Sequence, residues 1–268
     1  MVRPVLEPES GFLAAARPGR RIGHRVEVHA SIGSTNDRAR QLLAEPDGAG
    51  VAVIAEEQRA GRGRRGRTWS SPAGLNLMMS LGLRPRLAAT DAGRLGLAVA
   101  LAARDACATV ATVQVKWPND IIATDGRKVG GLLVETAVEG DALTEAVIGV
   151  GINVNWSVSE MPPALAVSAT SLRELTGADV DRVALLARLL AALEEEIEGV
   201  EGGASPLPRY RAACSTLGSD VLVDLGHQVV EGRAADLDET GALVVATATG
   251  AVTIASGDVV RTRPAVTA

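Results

Sequence analysis

Lys116-Trp117-Pro118-Asn119-Asp120, followed after six intervening residues by Arg127-Lys128-Val129-Gly130-Gly131, is the segment on which the reading of this chain turns. Val113 to Lys116 and Ile121-Ile122 have the short apolar patterning of strands and bracket a turn that Pro118 restricts. The unit also carries Lys116 and Lys128, the only two lysines among 27 basic residues. A sequence that writes nearly every cation as arginine keeps lysine where a compact, titratable ammonium is needed in place of a planar fork. Lys128 stands just ahead of Gly130-Gly131, where missing side chains permit close approach of a ligand to backbone. Asn119 and Asp120 sit at a strand mouth, placed to hold a metal, a water or an incoming amine. The plainer alternatives are a solvated hairpin lysine and a merely rigid turn.

Outward from this unit, Gly131 to Ala137 and Ala146 to Asn155 read as two further core strands, and Gly149-Val150-Gly151-Ile152-Asn153 again sets glycines beside a polar group. On the N-terminal side, Asp91 to Val110 reads as a long alanine-rich buried helix, Leu75 to Leu83 as a strand, and Val51 to Ala55 as a buried strand too short and too apolar for a helix. Ser34-Thr35-Asn36-Asp37 opens a helix to Ala44, with Ser34 the natural N-cap and Asp37 at the capping-box position. Val183, Leu186, Leu190, Leu193 and Ile197 give Arg182 to Val200 helical spacing.

Past Gly218 the pattern changes to short strands, Val221 to Val223, Val229-Val230, Leu243 to Val245 and Val252 to Ile254, with Gly241 and Gly257 supplying positive-φ positions. This reads as a small all-β barrel after a boundary near Leu217, giving two domains, 1–217 and 218–268.

Composition narrows the class. At 268 residues, 47% hydrophobic and 22% charged, the chain suffices for one substantial core plus a small module. Cys107 and Cys214 lack metal-ligand spacing, so neither a disulfide framework nor a zinc site is expected. No leader pattern opens the chain, and its most apolar run, Leu95 to Ala103, is far short of a membrane span; a cytoplasmic protein is expected, with no membrane partner. A net charge of −5 argues against a broad nucleic-acid footprint while leaving room for a local basic patch.

That patch is Gly61-Arg62-Gly63-Arg64-Arg65-Gly66-Arg67. It fits G-x-G-x-x-G and follows a strand, yet Thr68-Trp69-Ser70-Ser71-Pro72 cannot propagate the helix that a dinucleotide fingerprint requires. Four arginines on a glycine-hinged loop repel one another, so the expectation is a mobile loop that orders around an anion, carboxylate or phosphate, that arginine forks match. A nucleic-acid contact is the alternative.

Together, Ser34-Thr35-Asn36, Gln58 with the glycine-arginine loop and Trp69, Lys116 to Asp120, Lys128 to Gly131 and Gly149 to Asn153 resemble the motifs of biotin-protein ligases, in that family's order, over about residues 24 to 263. The resemblance implies an α+β fold: a mixed β-sheet catalytic domain with flanking helices, related to class II aminoacyl-tRNA synthetases, followed by an SH3-like barrel. It implies that Ser34, Thr35, Asn36 and Gln58 line the biotin ring end and that Arg62, Gly63 and Arg64 close over carboxylate and phosphate. Lys128 would contact the reacting oxygens, Asp120 would take or orient the acceptor amine's proton, and Arg67, Trp69, Lys116, Asn119 and Asn153 would surround the nucleotide. ATP with Mg²⁺ and biotin are the implied reactants, with the metal ligands left open. The implied partner is a biotin carboxyl carrier domain of an acyl-CoA or pyruvate carboxylase, the enzyme itself being monomer or homodimer. Some members carry an N-terminal helix-turn-helix domain; about 30 residues precede Ser34, too few for one, so no specific DNA is expected. A lipoate-type ligase shares the fold but would show an Arg-Arg-x-x-Gly-Gly-Gly signature, which is missing; a nucleic-acid-binding regulator would need a basic face.

Overall fold

Apolar runs too short for helices build the centre of the computed structural model, which describes residues 8–263. The main sheet comprises β1 (Val26–His29), β2 (Ala52–Ala55), β3 (Leu77–Leu83), β4 (Leu87–Ala88), β5 (Val113–Lys116), β6 (Asp120–Ala123), β7 (Lys128–Glu139) and β8 (Ala142–Ile152). Its order is β1-β2-β3-β8-β7-β6-β5, with β4 pairing β8 at the side. Only β1 and β2 run parallel; the other pairs are antiparallel, so the sheet is mixed.

Every residue of β2 and β3 is buried because helices cover both faces. Helix α2 (Thr35–Leu43) packs Ala39, Leu42 and Leu43 on Val53 and Val147. On the opposite face lie α3 (Ala92–Ala108) and α6 (Arg182–Glu201), whose Leu185, Leu189, Leu193 and Ile197 share the principal core with Ile54, Leu81 and Ile148. Here Asp181 caps α6, accepting from the Val183 and Ala184 amides. The short helices α1 (Pro8–Leu13), α4 (Pro163–Ala166), α5 (Leu172–Thr176) and α7 (Leu207–Ala213) complete the chain. None of the helices among the described residues is long and apolar enough to cross a membrane.

The C-terminal strands β9 (Asp220–Asp224), β10 (Val229–Leu237), β11 (Leu243–Thr247), β12 (Gly250–Ile254) and β13 (Asp258–Arg263) form an antiparallel sheet of order β12-β11-β10-β9-β13. These five antiparallel strands are the small SH3-like module expected from the sequence, with no pairing between β12 and β13 among the described residues. Its Val221, Val223, Leu237 and Leu243 belong to the same core as α3, so the sheet is welded to the catalytic unit. Residues 1–7 and 264–268 of the two expected domains lie outside the described residues.

Several expectations give way. Ser34 does begin α2, but its side chain makes no cap hydrogen bond, and Asp37 instead pairs with Arg62 at 2.7 Å and Arg40 at 3.4 Å, so there is no capping box. Gly241 has φ 88°, whereas Gly257 does not lie in the positive-φ region. What Gly257 supplies is room: a Cβ there would stand 2.6 Å from Val223 Cγ1 and 2.9 Å from Leu225 Cδ2. The strands, too, run longer than their apolar cores; β7 begins at Lys128, and β13 had no apolar run long enough to announce it.

Candidate functional site

A cleft of about 320 Å³ opens on the α2 face of the main sheet. Register explains what reaches it. Lys116 pairs Asp120, Asp120 pairs Gly131, Gly131 pairs Gly151 and Gly151 pairs Met78, so these residues form one row on one face. The adjacent row is Leu133, Gly149 and Ser80. Glycine at 131, 149 and 151 strips that face of side chains.

The space so created is taken by the chain's own groups. A Cβ at Gly151 would lie 2.6 Å from the Trp69 indole, one at Gly131 would lie 3.0 Å from Lys128 Nζ, and one at Gly149 would collide with the Asn36 amide. At Gly131, where close approach of a ligand to backbone was expected, Lys128 and Trp69 take the space, and with Asn36 over Gly149 they form the floor of the cleft. Lys128 Nζ sits 2.6 Å from Asp120 Oδ1 and 5.8 Å from the Trp69 ring centroid.

At one end of the cleft is a neutral polar shelf. The Thr35 amide donates to Gln58 Oε1 at 2.8 Å, Thr35 Oγ1 is 2.7 Å from Ser80 Oγ, and Ser80 Oγ donates to Asn36 Oδ1 at 2.6 Å. Asn36 Nδ2 in turn donates to Glu135 Oε2 at 2.8 Å. Burial works to raise the Glu135 pKa, but the Asn36 hydrogen bond and the guanidinium groups of Arg62 and Arg40 outweigh it and hold the carboxyl below its usual range.

The other end is cationic. The glycine-arginine loop, Gly61 to Arg67, carries a short 3₁₀ turn in which Arg65 is left-handed (φ 56°), a conformation costing a non-glycine residue about 1–3 kcal/mol. It is held by carboxylates of the chain itself. Asp258 of β13 accepts from Arg67 and from Arg65 (3.3 Å), and Arg64 reaches Ser256 Oγ (2.7 Å), the Gly257 carbonyl (3.3 Å) and Asn119 Oδ1 (3.1 Å). Arg62 lies 2.7 Å from Asp37 and 3.5 Å from Glu135. The expected mutual repulsion is thus neutralised internally, and the loop is latched to the C-terminal sheet. Burial draws the Arg64 guanidinium below its ordinary pKa, with Asp258 and Asp120 opposing. Trp117, 2% exposed, joins the two units, receiving Thr216 Oγ1 as acceptor for its amide (3.0 Å) and donating Nε1–H to the Gly241 carbonyl (3.1 Å).

Of the residues picked from sequence, Ser34, Thr35, Asn36, Gln58, Arg62, Gly63, Arg64, Arg67, Trp69, Lys116, Asn119, Asp120 and Lys128 all line this cleft. Asn153 does not: it is buried, donating Nδ2–H to the Thr170 carbonyl at 3.1 Å. Sequence reasoning missed Ser80, although a lone serine in the wholly buried run Leu77 to Leu83 is a signal, since a buried hydroxyl there needs a partner. It also missed Asp258, Val259 and Val260, which the C-terminal sheet brings to the rim.

The fold, the cationic loop over a polar shelf and the appended sheet define the class, and comparison with known proteins agrees. Residues 28–153 match the Biotin/lipoate A/B protein ligase family, and residues 216–261 match the Biotin protein ligase C terminal domain. The biotin--[acetyl-CoA-carboxylase] ligase of Mycobacterium tuberculosis is 38% identical over 89% of this chain and 90% of its own length. That of Paracoccus denitrificans is 33% identical over 86% of this chain and 98% of its own. Among solved structures, the Aquifex aeolicus biotin protein ligase in complex with biotin and ATP superposes with a TM-score of 0.75, at 28% identity, over 89% of this chain and 98% of that one. The chain belongs to the biotin protein ligase family.

Proposed function

We propose that this chain activates biotin with ATP as biotinyl-5′-adenylate and transfers the biotinyl group to a lysine of a biotin carboxyl carrier domain in an acyl-CoA or pyruvate carboxylase. The observation that carries the reading is the polarity of a single cleft, with a hydrogen-bonding shelf at Thr35, Ser80 and Gln58 facing Lys128 and the arginine loop. A ureido ring offers N–H and C=O groups to such a shelf; a dithiolane ring offers neither. That difference favours biotin over lipoate.

In the first step a carboxylate oxygen attacks the α-phosphorus of ATP and the α–β P–O bond breaks, releasing pyrophosphate. The carboxylate is already ionised, so alignment and neutralisation of like charges suffice. Lys128 supplies charge at the reacting oxygens, and Arg62 and Arg64 do so along the carboxylate and phosphate, with Trp69, Arg67, Lys116 and Asn119 toward the nucleotide. Asn153, buried and bonded to the Thr170 carbonyl, acts on that end through the segment it anchors. Mg²⁺ would supply charge neutralisation on the triphosphate, and Asp120 and Asp258 are the cleft carboxylates that would hold a cation bound largely through substrate.

The mixed anhydride must be kept from water, which is the service of the latched loop. In the second step the acceptor amine attacks the anhydride carbonyl, loses a proton and expels AMP. Asp120, bound to Lys128, orients that ammonium first and reaches the amine's proton as Lys128 follows the substrate oxygens. The protein works in the cytoplasm, and residues 218 onward form its second domain. Isothermal titration with biotin and with lipoate tests the reading: tight biotin binding with no lipoate heat is expected, and preference for lipoate would overturn it.

A further inference from the structure

Glu135 stands outside the groups assigned above, half-buried on β7, yet it ends an unbroken chain of hydrogen bonds that begins at the ring-end shelf. The direction of that chain is fixed by chemistry. An ionised carboxylate can only accept, so Asn36 must present Nδ2–H to Glu135 and its Oδ1 to Ser80. Ser80, fully buried, has one proton, and it goes to Asn36 Oδ1 at 2.6 Å. Its contact with Thr35 Oγ1 at 2.7 Å therefore requires Thr35 to donate, and to donate there in preference to Gln58 Oε1, which lies farther off at 3.1 Å and already accepts from the Thr35 amide. With its own proton committed, Thr35 Oγ1 faces the cleft as an acceptor, while the Thr35 amide occupies Gln58 Oε1 at 2.8 Å and leaves the Gln58 amide N–H groups as donors. A negative charge at one end thus dictates an acceptor at the other. Gly149 permits the arrangement, since any side chain there would displace the Asn36 amide. Arg40 and Arg62, at 3.1 and 3.5 Å, keep Glu135 charged.

We infer that Glu135 is a positioning residue that, through Asn36 and Ser80, sets Thr35 as a hydrogen-bond acceptor and so selects a ligand with an N–H donor at that point. The inference rests on the reading of the cleft as a biotin site and adds to it the residue that enforces ring chemistry. An uncharged amide at 135 can accept or donate, so the whole chain can reverse, Thr35 can turn its hydroxyl proton to the ligand, and discrimination falls.

The test is calorimetric titration of the full chain with biotin and with its two carbamate analogues, each having one ureido N–H replaced by oxygen. The unsubstituted protein should prefer biotin over at least one carbamate by about 100-fold or more, because an oxygen facing Thr35 leaves two acceptors opposed. Glu135→Gln should shrink that ratio about tenfold or more while the melting temperature stays near that of the parent. Asn36→Leu, which cuts the chain but leaves Glu135 with Arg62 and Arg40, should shrink it equally. An unchanged ratio in Glu135→Gln overturns the inference, and so does a ratio lost in Glu135→Gln but kept in Asn36→Leu, which would place the effect on the arginines. Should Glu135→Gln not fold, Ser80→Ala decides by the same ratio, since it also frees the Thr35 proton. Absence of biotin binding by the parent would instead sink the biotin reading itself.

Discussion

At the scale of single residues the account rests on Lys128. Its ammonium is held between Asp120 (2.6 Å) and the Trp69 ring over the bare backbone of Gly131, and the proposed reaction asks this one compact charge to serve the carboxyl and phosphoryl oxygens. Lys128→Ala should lower adenylate formation by about 10² or more, a loss of about 3 kcal/mol in the transition state. Single-turnover pyrophosphate release measures it, and a near-normal rate would remove Lys128 from the chemistry. Arginine at this position would not be conservative, because a planar fork needs room that Trp69 occupies.

At the scale of elements, the arginine loop and β13 act as one device. Asp258 gathers Arg65 and Arg67, and Arg64 bonds to the two residues before it, so the loop's closed form is written into the C-terminal sheet. Asp258→Ala should loosen this closure and let the adenylate escape, as should Arg64→Gly, so that bystander proteins acquire biotin at exposed lysines. Streptavidin blots showing acceptor-only labelling at matched turnover would contradict this. The two partners were not equally legible in sequence. The loop announces itself by composition, and β5, β6 and the row from Lys116 to Gly131 follow from alternation around the Trp-Pro-Asn-Asp turn. Asp258 gives no such sign: its contact with Arg67 spans 191 residues and depends on how two sheets dock, which no local pattern encodes. The same limit explains Asn153, whose glycine-flanked motif suggested a ligand contact while its side-chain amide donates to the Thr170 carbonyl of a later segment. It explains the glycines as well, whose emptiness was legible but whose occupants, Trp69 and Asn36, arrive from distant elements.

At the scale of the whole molecule, a shared core and a set of buried carboxylates tie the parts together. Glu194 of α6 is 2% exposed and accepts from the Arg21 and Ile22 amides beside the Arg17 and Arg20 guanidinium groups; Glu201 accepts from Arg21 and the Arg86 amide. Burial alone would raise both carboxyls, but these partners hold both below their ordinary value of 4.5. A depressed folded-state pKa means the unfolded chain binds the proton more readily, so this stabilisation is full above that value and is lost as pH falls below it. Glu196, raised by burial despite Arg209, acts in the opposite sense. Thermal melts should therefore show stability dropping as pH is lowered below about 4.5, with the drop blunted in Glu194→Gln; melting temperatures that are flat through this range would contradict it. The central claim joins both sheets in one reaction, and its most direct test is pyrophosphate release with biotin, ATP and Mg²⁺, with and without a biotin-accepting carboxylase domain. The account predicts biotin-dependent pyrophosphate release that continues past a single turnover only when the acceptor is present, with biotin recovered on one acceptor lysine. Pyrophosphate release indifferent to biotin, or none at all, would contradict it.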